Sequence, residues 1–465
     1  MKHRTLALLV TAALILSLTG TALASVGVPS EAGASAARPE AAEEAETAEE
    51  TQAAEQTAPE AETAGEKAPG EETPDEGETP DETPVEEYIP DPVGSITFGN
   101  LERRMHEGNL QVLALQENID ILEEIDYDNL QERLREQLND LASTQWNLVM
   151  MSQYMSDYEY HNAYNQLDQA YDAVREQFDA IKEGDMQEDN AENVRQLKNL
   201  QNQIVMAGEA TYIALAAMEL QEDALVRQLA ALDRQLEELE LRYELGHISS
   251  MTLKQAQAGR TALTSGLETL RMNLNTYKSQ LELLIGADIT GEISLGALPA
   301  VSQEELDAMD LEKDLERAKE NSWDLHQATE DYKDALKEYN NHGGEAGQEY
   351  KANDRDYKQQ RHTYYTAKYT YDNTVQSFEL SLRGLYLKVM DYRQVLAAAK
   401  TALAVEQDNY AAAQLKQSQG NISQNALLEA EDKLKEAREK VAGAENDLFS
   451  GYNTYRWAVD YGIIN

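Results

Sequence analysis

The chain has 465 residues, with 86 acidic against 39 basic and a formal net charge of −47. That excess repels a nucleic-acid backbone, and no basic stripe with interleaved aromatics offsets it, which excludes nucleic acid as a partner. Cysteine is absent, which excludes disulfides, thiolate metal sites, Cys nucleophiles and a lipidated N-terminal Cys.

The N-terminus has the pattern of an export signal, expected over residues 1–24. Lys2, His3 and Arg4 precede an apolar run from Leu6 to Leu18, and Ala22-Leu23-Ala24 offers a small-x-small cleavage site. The alternative is an uncleaved anchor, because Leu6 to Ala24 is just long enough to span a bilayer. Either way the bulk of the chain is expected outside the cytoplasm, in the cell envelope or at its surface. Residues 25–97 are rich in Ala, Glu, Thr and Pro, with Glu-Thr-Pro-Asp-Glu repeated around 72–83. With few large apolar residues and many like charges, no core can offset the entropy of ordering, so a disordered acidic tether is expected.

From residue 98 the pattern is helical. A first helix is expected from near Asn100 through Leu110, Leu113, Ile119, Ile121, Leu122 and Ile125. It continues, with a break near Asp126-Tyr127-Asp128, through Leu130, Leu134, Leu138, Leu141 and Trp146. A stretch rich in Tyr and Met follows and ends at Glu183-Gly184-Asp185. A long helix expected from near Ala191 then places Leu225, Leu229, Leu232, Leu236, Leu239 and Tyr243 at alternating spacings of four and three, an a/d seam. Leu245-Gly246-His247-Ile248-Ser249 interrupts that seam. The glycine reads as a helix stop and the serine as the cap of the next start. The following helix keeps a heptad register from Leu253 through Ala256, Arg260, Leu263, Leu267, Leu270, Leu274, Tyr277 and Leu281 to Leu284. Repeat 1 is thus 98–288, and a connection over 289–302 carries a short β-like piece, Ile289 to Leu295.

Residues 303–465 form a second repeat. Gly246-His247-Ile248-Ser249 recurs 174 positions later as Gly420-Asn421-Ile422-Ser423. The same offset carries the downstream seam onto Leu427, Ala430, Leu434, Ala437, Val441, Ala444, Leu448, Gly451, Tyr455 and Ala458 without an insertion. Period and turn match in one register, which is read as an internal duplication. Leu311 to Tyr339 and Tyr364 to Gln414 supply the upstream helices, separated by Asn340-Asn341-His342-Gly343-Gly344. Gly108-Asn109-Leu110 corresponds loosely to Glu320-Asn321-Ser322, and the extra length of repeat 1 lies in its Tyr/Met-rich stretch.

The stretch Tyr243-Glu244-Leu245-Gly246-x-Ile248-Ser249 with Leu253, Ala256 and Gln257, together with its echo at Gly420–Ser423 and Leu427-Leu428-Glu429-Ala430-Glu431, resembles the two hairpin-tip motifs of TolC-type outer-membrane efflux proteins. So does the helix ending in Leu284-Ile285-Gly286. The resemblance covers about residues 98–465. It implies an all-α fold of long antiparallel coiled-coil hairpins in two tandem repeats. It also implies a homotrimer whose three protomers close a twelve-helix tunnel, engaged at its tips by a HlyD-like adaptor and an ABC-type or similar transporter. Carried onto this chain, the adaptor-facing tips are Leu245, Gly246, His247, Ile248 and Ser249, and Gln419, Gly420, Asn421, Ile422 and Ser423. The tunnel constriction falls near Gln255 and Glu429, with Ala426 where another acid is often found. Members of the family also insert two β-strands per repeat to build a membrane barrel. A transmembrane strand needs about 9–11 alternating residues. The break at 340–353 is too polar and short for two of them, and 150–190 has helical spacing. The expectation is a helical tunnel domain with little or no β, its meeting with a membrane left open.

No catalytic constellation is present, so the chain is not read as an enzyme, and no cofactor or metal is expected. Glu244 and His247 have the Glu-x-x-His spacing of a di-iron bundle, but they straddle the turn without a second copy. Phosphate loops, nucleophile elbows and zinc helices are missing. The 24 tyrosines are read as packing residues of long helices, or as marks of half-wet helix ends in clusters such as Tyr364, Tyr365, Tyr369 and Tyr371. The competing functional reading is a structural surface coiled-coil stalk or scaffold without a conduit.

Overall fold

The computed structural model describes residues 90–464; the expected signal peptide and the tether up to residue 89 lie outside the described residues. The fold is all-α. Long antiparallel helical hairpins form two tandem repeats, and two-residue strands β1 (Ser95–Ile96) and β2 (Ser294–Leu295) are the only β-structure among the described residues.

Repeat 1 contains α1 (Phe98–Gly108), α2 (Leu110–Glu123), α3 (Tyr127–Met151), α4 (Asp157–Glu183), α5 (Asp185–Glu244) and α6 (Ser250–Leu284). Repeat 2 contains α7 (Gln303–Ala308), α8 (Leu311–Asn321), α9 (Trp323–Asn341), the single turn α10 (Gly347–Tyr350), α11 (Arg355–Ser418) and α12 (Gln424–Tyr461). At 60 and 64 residues, α5 and α11 each run about 90–95 Å.

Local chemistry accounts for most boundaries. Asn109 breaks the first helix by accepting hydrogen bonds from the backbone N–H of Gln111 and Val112, and Asp126 caps α3 through Asn129 N–H. The tyrosine-rich helix α4 opens with a reciprocal capping box between Ser156 and Glu159, so the first turn satisfies its own orphan donors. Gly184, at φ 91°, then separates α4 from α5. The long helix therefore starts at Asp185 rather than near Ala191, because the left-handed glycine is itself the break. Ser322 likewise splits the segment expected as Leu311–Tyr339, and its side chain caps α9.

The heptad register is borne out by burial. Leu267, Leu270, Leu274 and Leu281 on α6 are buried, as are Leu434, Ala437, Val441, Ala444, Leu448, Gly451, Tyr455 and Ala458 on α12. The seam loosens toward the turns, and Tyr243 ends up 44% exposed.

The four long helices stand side by side in the order α11, α12, α5, α6, since α12 packs on both α11 and α5, and α6 packs on α5. At the end away from the α5–α6 and α11–α12 turns, α1 and α2 lean on α5, α8 on α12, and α9 on α11. Asn109 Nδ2 donates to Leu284 O at 3.0 Å, and Asn321 Nδ2 to Asp460 O at 2.9 Å, so the two loosely matched asparagines perform the same closure in their repeats. Repeat 1 alone carries the α3–α4 hairpin. Its place in repeat 2 is taken by the glycine-rich turn around α10.

The connection between repeats is anchored on one buried carboxylate. Glu282, 2% exposed, accepts from the N–H of Thr290 and Gly291 at 2.6 Å through one oxygen. Its other oxygen accepts from Thr290 Oγ1 at 2.7 Å and from the N–H of Ile293 and Glu292 at 3.2 and 3.3 Å. Burial pushes its pKa up, but these hydrogen bonds outweigh burial and hold it below the usual value. Just beyond, β2 pairs in parallel with β1. Tyr212, wholly buried on α5, donates its hydroxyl to Gly296 O at 2.7 Å beside Ile96 O, and burial raises its pKa to about 12. Residues 95–97, placed in the tether on composition, therefore belong to the fold. Ile96 is wholly buried, a long-range pairing that composition could not reveal.

Candidate functional site

The two turns predicted as tips have one geometry. At the end of α5, Gly246 N–H donates to Tyr243 O at 2.9 Å and His247 N–H to Arg242 O at 2.8 Å. At the end of α11, Gly420 N–H donates to Gln417 O and Asn421 N–H to Lys416 O, both at 2.9 Å. This nested pair of bonds is the Schellman arrangement, and it requires a left-handed residue after the helix. Gly246 and Gly420 both sit at φ 75°, with open space where a Cβ would project. The glycines are needed for backbone conformation and not for room. The capping serines are equally matched: Ser249 Oγ accepts from Thr252 N–H and Ser423 Oγ from Ala426 N–H, each at 3.2 Å.

The motif can now be divided by task. Glycine turns the chain, serine starts the next helix, and Ile248 and Ile422 are the half-buried members of their turns. The remaining predicted tip residues, Leu245, His247, Gln419 and Asn421, are exposed. Leu245 is 62% exposed. Gln255 and Glu429 lie six residues past the capping serines, and both side chains are exposed.

The turns are held level by an inter-repeat seam that sequence reasoning missed. Arg227 on α5 makes a bidentate pair with Glu439 on α12, at 2.7 and 2.8 Å. Two helical turns nearer the tips, Arg234 pairs with Asp432. From Arg227 to Arg234 and from Glu439 to Asp432 is the same seven-residue step, so α5 and α12 run antiparallel in strict register. Glu209 and Trp457 lie eighteen residues further from the tips on their two helices and keep that register. There Glu209, 2% exposed, accepts from Trp457 Nε1 at 2.5 Å and Asn453 Nδ2 at 2.7 Å. Hydrogen bonds to Glu439 raise the Arg227 pKa further, and the guanidinium stays charged throughout. The sequence signal was an arginine pair at heptad spacing on α5 facing acids at heptad spacing on α12, but nothing local says that these two helices meet.

Within the first hairpin, Arg260–Asp233, Arg271–Glu222 and Lys278–Glu219 bridge α6 to α5. In the second, Lys400–Glu445 bridges α11 to α12. The outer sides of the row are different. Leu380, Leu387, Val395 and Val405 on α11 are 73, 65, 46 and 53% exposed, and Met251, Met272 and Leu283 on α6 are 64, 70 and 61% exposed. The helical period brings Leu380, Leu387 and Val405 to one face.

Among the described residues no helix is long and apolar enough to cross a membrane, and no group of three or more His, Asp or Glu side chains could hold a metal ion. The Glu244–His247 spacing lies at the exposed turn.

No protein-family model matches the chain, and no curated protein matches it. Among solved structures it is similar to the outer-membrane channel OprN, at 13% identity over 78% of this chain and 90% of that one, with a TM-score of 0.45. It is also similar to CusC, at 14% identity over 78% and 96% of the two chains with a TM-score of 0.46. The outer-membrane protein VceC of Vibrio cholerae follows, at 12% identity over 78% and 96% with a TM-score of 0.36.

Proposed function

We propose that the chain is the wall-forming subunit of an efflux or export conduit in the cell envelope, assembling as a homotrimer whose paired turns dock a HlyD-like adaptor and an ABC-type or similar transporter. One observation carries this reading: four long helices stand in a row, and both outer helices present apolar side chains to solvent. A row with one apolar flank on α11 and another on α6 is an open wall. Joining α6 of one protomer to α11 of the next is a heterologous contact that repeats head to tail, and such contacts end only by closing a ring. Three protomers with four long helices each supply a tunnel of twelve.

The tip assignment rests on the duplicated motif and on the division of tasks within it. Backbone groups and the capping serines make the turns, so the exposed side chains of Leu245 and His247, and of Gln419 and Asn421, which bond each other at 3.1 Å, are left to face a partner. Gln255 and Glu429, on the second turns of α6 and α12, are the residues we assign to the constriction. A charged gate rests on Glu429 alone, because repeat 1 has an amide there.

Electron microscopy of the protein extracted in mild detergent tests the assembly. The expected result is a hollow cylinder with three-fold symmetry; a solid rod or a stable monomer at micromolar concentration overturns the conduit and returns the chain to a structural stalk. Docking is tested by cross-linking to the adaptor. H247A/N421A is expected to lower cross-linking while the trimer persists, and unchanged cross-linking removes the tip assignment.

A further inference from the structure

The α3–α4 hairpin takes no part in the row of long helices. Its two helices pack on each other, and their polar links to α5 lie at the base: Asn190 Nδ2 donates to Tyr127 Oη at 2.7 Å, and Gln187 Nε2 to Ile181 O at 3.1 Å. With 25 residues in α3, the hairpin extends about 37 Å from that base to its turn.

Its stem and its end differ in chemistry. The stem is charged like the rest of the chain, with Arg133, Arg135, Glu136 and Asp140 on α3 and Asp168, Asp172, Arg175 and Glu176 on α4. From Leu141 to Ser156 no residue is charged, in a chain of which 27% is charged, and no other uncharged run among the described residues is as long. That run covers the last three turns of α3 and the connecting turn. Its side chains face solvent: Trp146 is 66% exposed, Met150 61%, Met151 56% and Tyr154 81%, and Tyr158 on the first turn of α4 is also 81% exposed.

We propose that this cap dips into the interfacial layer of a lipid bilayer with an uncharged or zwitterionic surface. The distribution of the apolar residues argues for a planar partner. A neighbouring helix needs a stripe along one side, whereas here α3, the turn and α4 all contribute, so the apolar surface closes over the end of the hairpin. The residue types suit the boundary between water and lipid, since Trp and Tyr place an apolar body and a polar tip where the medium changes. The polar backbone of the turn is satisfied internally: Met155 N–H donates to Ser152 O at 3.2 Å, and Ser156 N–H to Glu159 Oε2 at 3.2 Å. Burial in a layer poor in water therefore leaves few donors stranded. Charge selects the lipid and limits the depth. Asp157 and Glu159, on the first turn of α4 beside the connecting turn, are repelled by anionic headgroups and too costly to carry into hydrocarbon, so the turn stays at headgroup level. The contact is a shallow insertion and not a span. It stands independently of the conduit reading, because a stalk could carry the same anchor.

The full chain contains three tryptophans, at 146, 323 and 457, and no cysteine, which permits direct tests. The purified chain is mixed with phosphatidylcholine vesicles carrying bromine on the acyl chains, and the Trp146 emission is taken as the difference from W146F. The N-terminal segment contains no tryptophan and cannot contribute, even where it recruits the chain to vesicles. Bromolipid is expected to quench the Trp146 component, with loss of that quenching in M150Q/M151Q/Y154Q at unchanged far-UV circular dichroism. Equal quenching in the triple variant, or none in the parent chain, overturns the proposal. Disulfide-linked dimers of M150C forming in the absence of lipid, without quenching in its presence, overturn it in favour of contact between copies.

Discussion

Glu282 offers the sharpest test of the packing at the end away from the tips. In E282Q the new side chain keeps one acceptor oxygen and replaces the other with an NH2 group. One oxygen now serves Thr290 N–H and Gly291 N–H; the other serves Thr290 Oγ1 and the N–H of Glu292 and Ile293. Whichever oxygen is replaced, two donors lose their acceptor and face another donor: the N–H groups of Thr290 and Gly291 in one case, Ile293 N–H and the Thr290 hydroxyl in the other, where Glu292 N–H keeps Thr290 Oγ1 at 3.2 Å. The carboxylate is 2% exposed, so water cannot take over without opening the site. A buried donor left unpaired costs about 1–3 kcal/mol, which gives roughly 2–6 kcal/mol for two. The loss falls on the segment from Thr290 to Ile293 that leads into β2. Amide hydrogen exchange of a peptide spanning Ala287–Gly296 reads that local cost, and 3–4 kcal/mol corresponds to about 100- to 1,000-fold less protection. The pH dependence has a defined sign. Because the folded-state pKa of Glu282 is lowered, its stabilisation is complete above the unfolded value of about 4.3 and fades as pH falls through the folded value. The gap between parent and E282Q should therefore be full at pH 7 and close in strong acid. Protection within a factor of three of the parent at pH 7, or a gap of constant size down to strong acid, would refute the argument.

Three further outcomes follow from the geometry. The Arg227–Glu439 pair, with side chains 14 and 23% exposed, lies between a surface bridge and a buried one. A double-mutant cycle with R227A and E439A should show about 1–2 kcal/mol of coupling by chemical denaturation, and less at high salt. G420A meets no atom within 4 Å but forces alanine to φ 75°, so it should cost about 1–2 kcal/mol through backbone strain alone, read by thermal unfolding. The outer flank is tested by L380E/L387E, for which light scattering should report a folded monomer where the parent chain is an oligomer.

Much of the site was legible because its chemistry is local. A glycine at φ 75°, the serine caps and the heptad burial each depend on residues within two turns, and each left a readable pattern. Element boundaries were less legible where one residue decided them, as at Gly184 and Ser322. The tyrosines divide between packed and exposed. Tyr339 and Tyr357 are 1% exposed in a ladder that stacks Tyr339 on Tyr364 at 4.9 Å, while Tyr369, on another face of α11, is 65% exposed.

By itself the sequence determined the duplication, the two turns and the face that each long helix buries, because helix period and capping are properties of neighbouring residues. Only the tertiary structure decided which helices stand side by side. Arg227 meets Glu439, Glu209 meets Trp457 and Ile96 completes the pairing with β2 across separations of about two hundred residues. Such contacts depend on how whole hairpins settle against one another, and no local pattern in a chain this rich in acids marks which carboxylate an arginine will find.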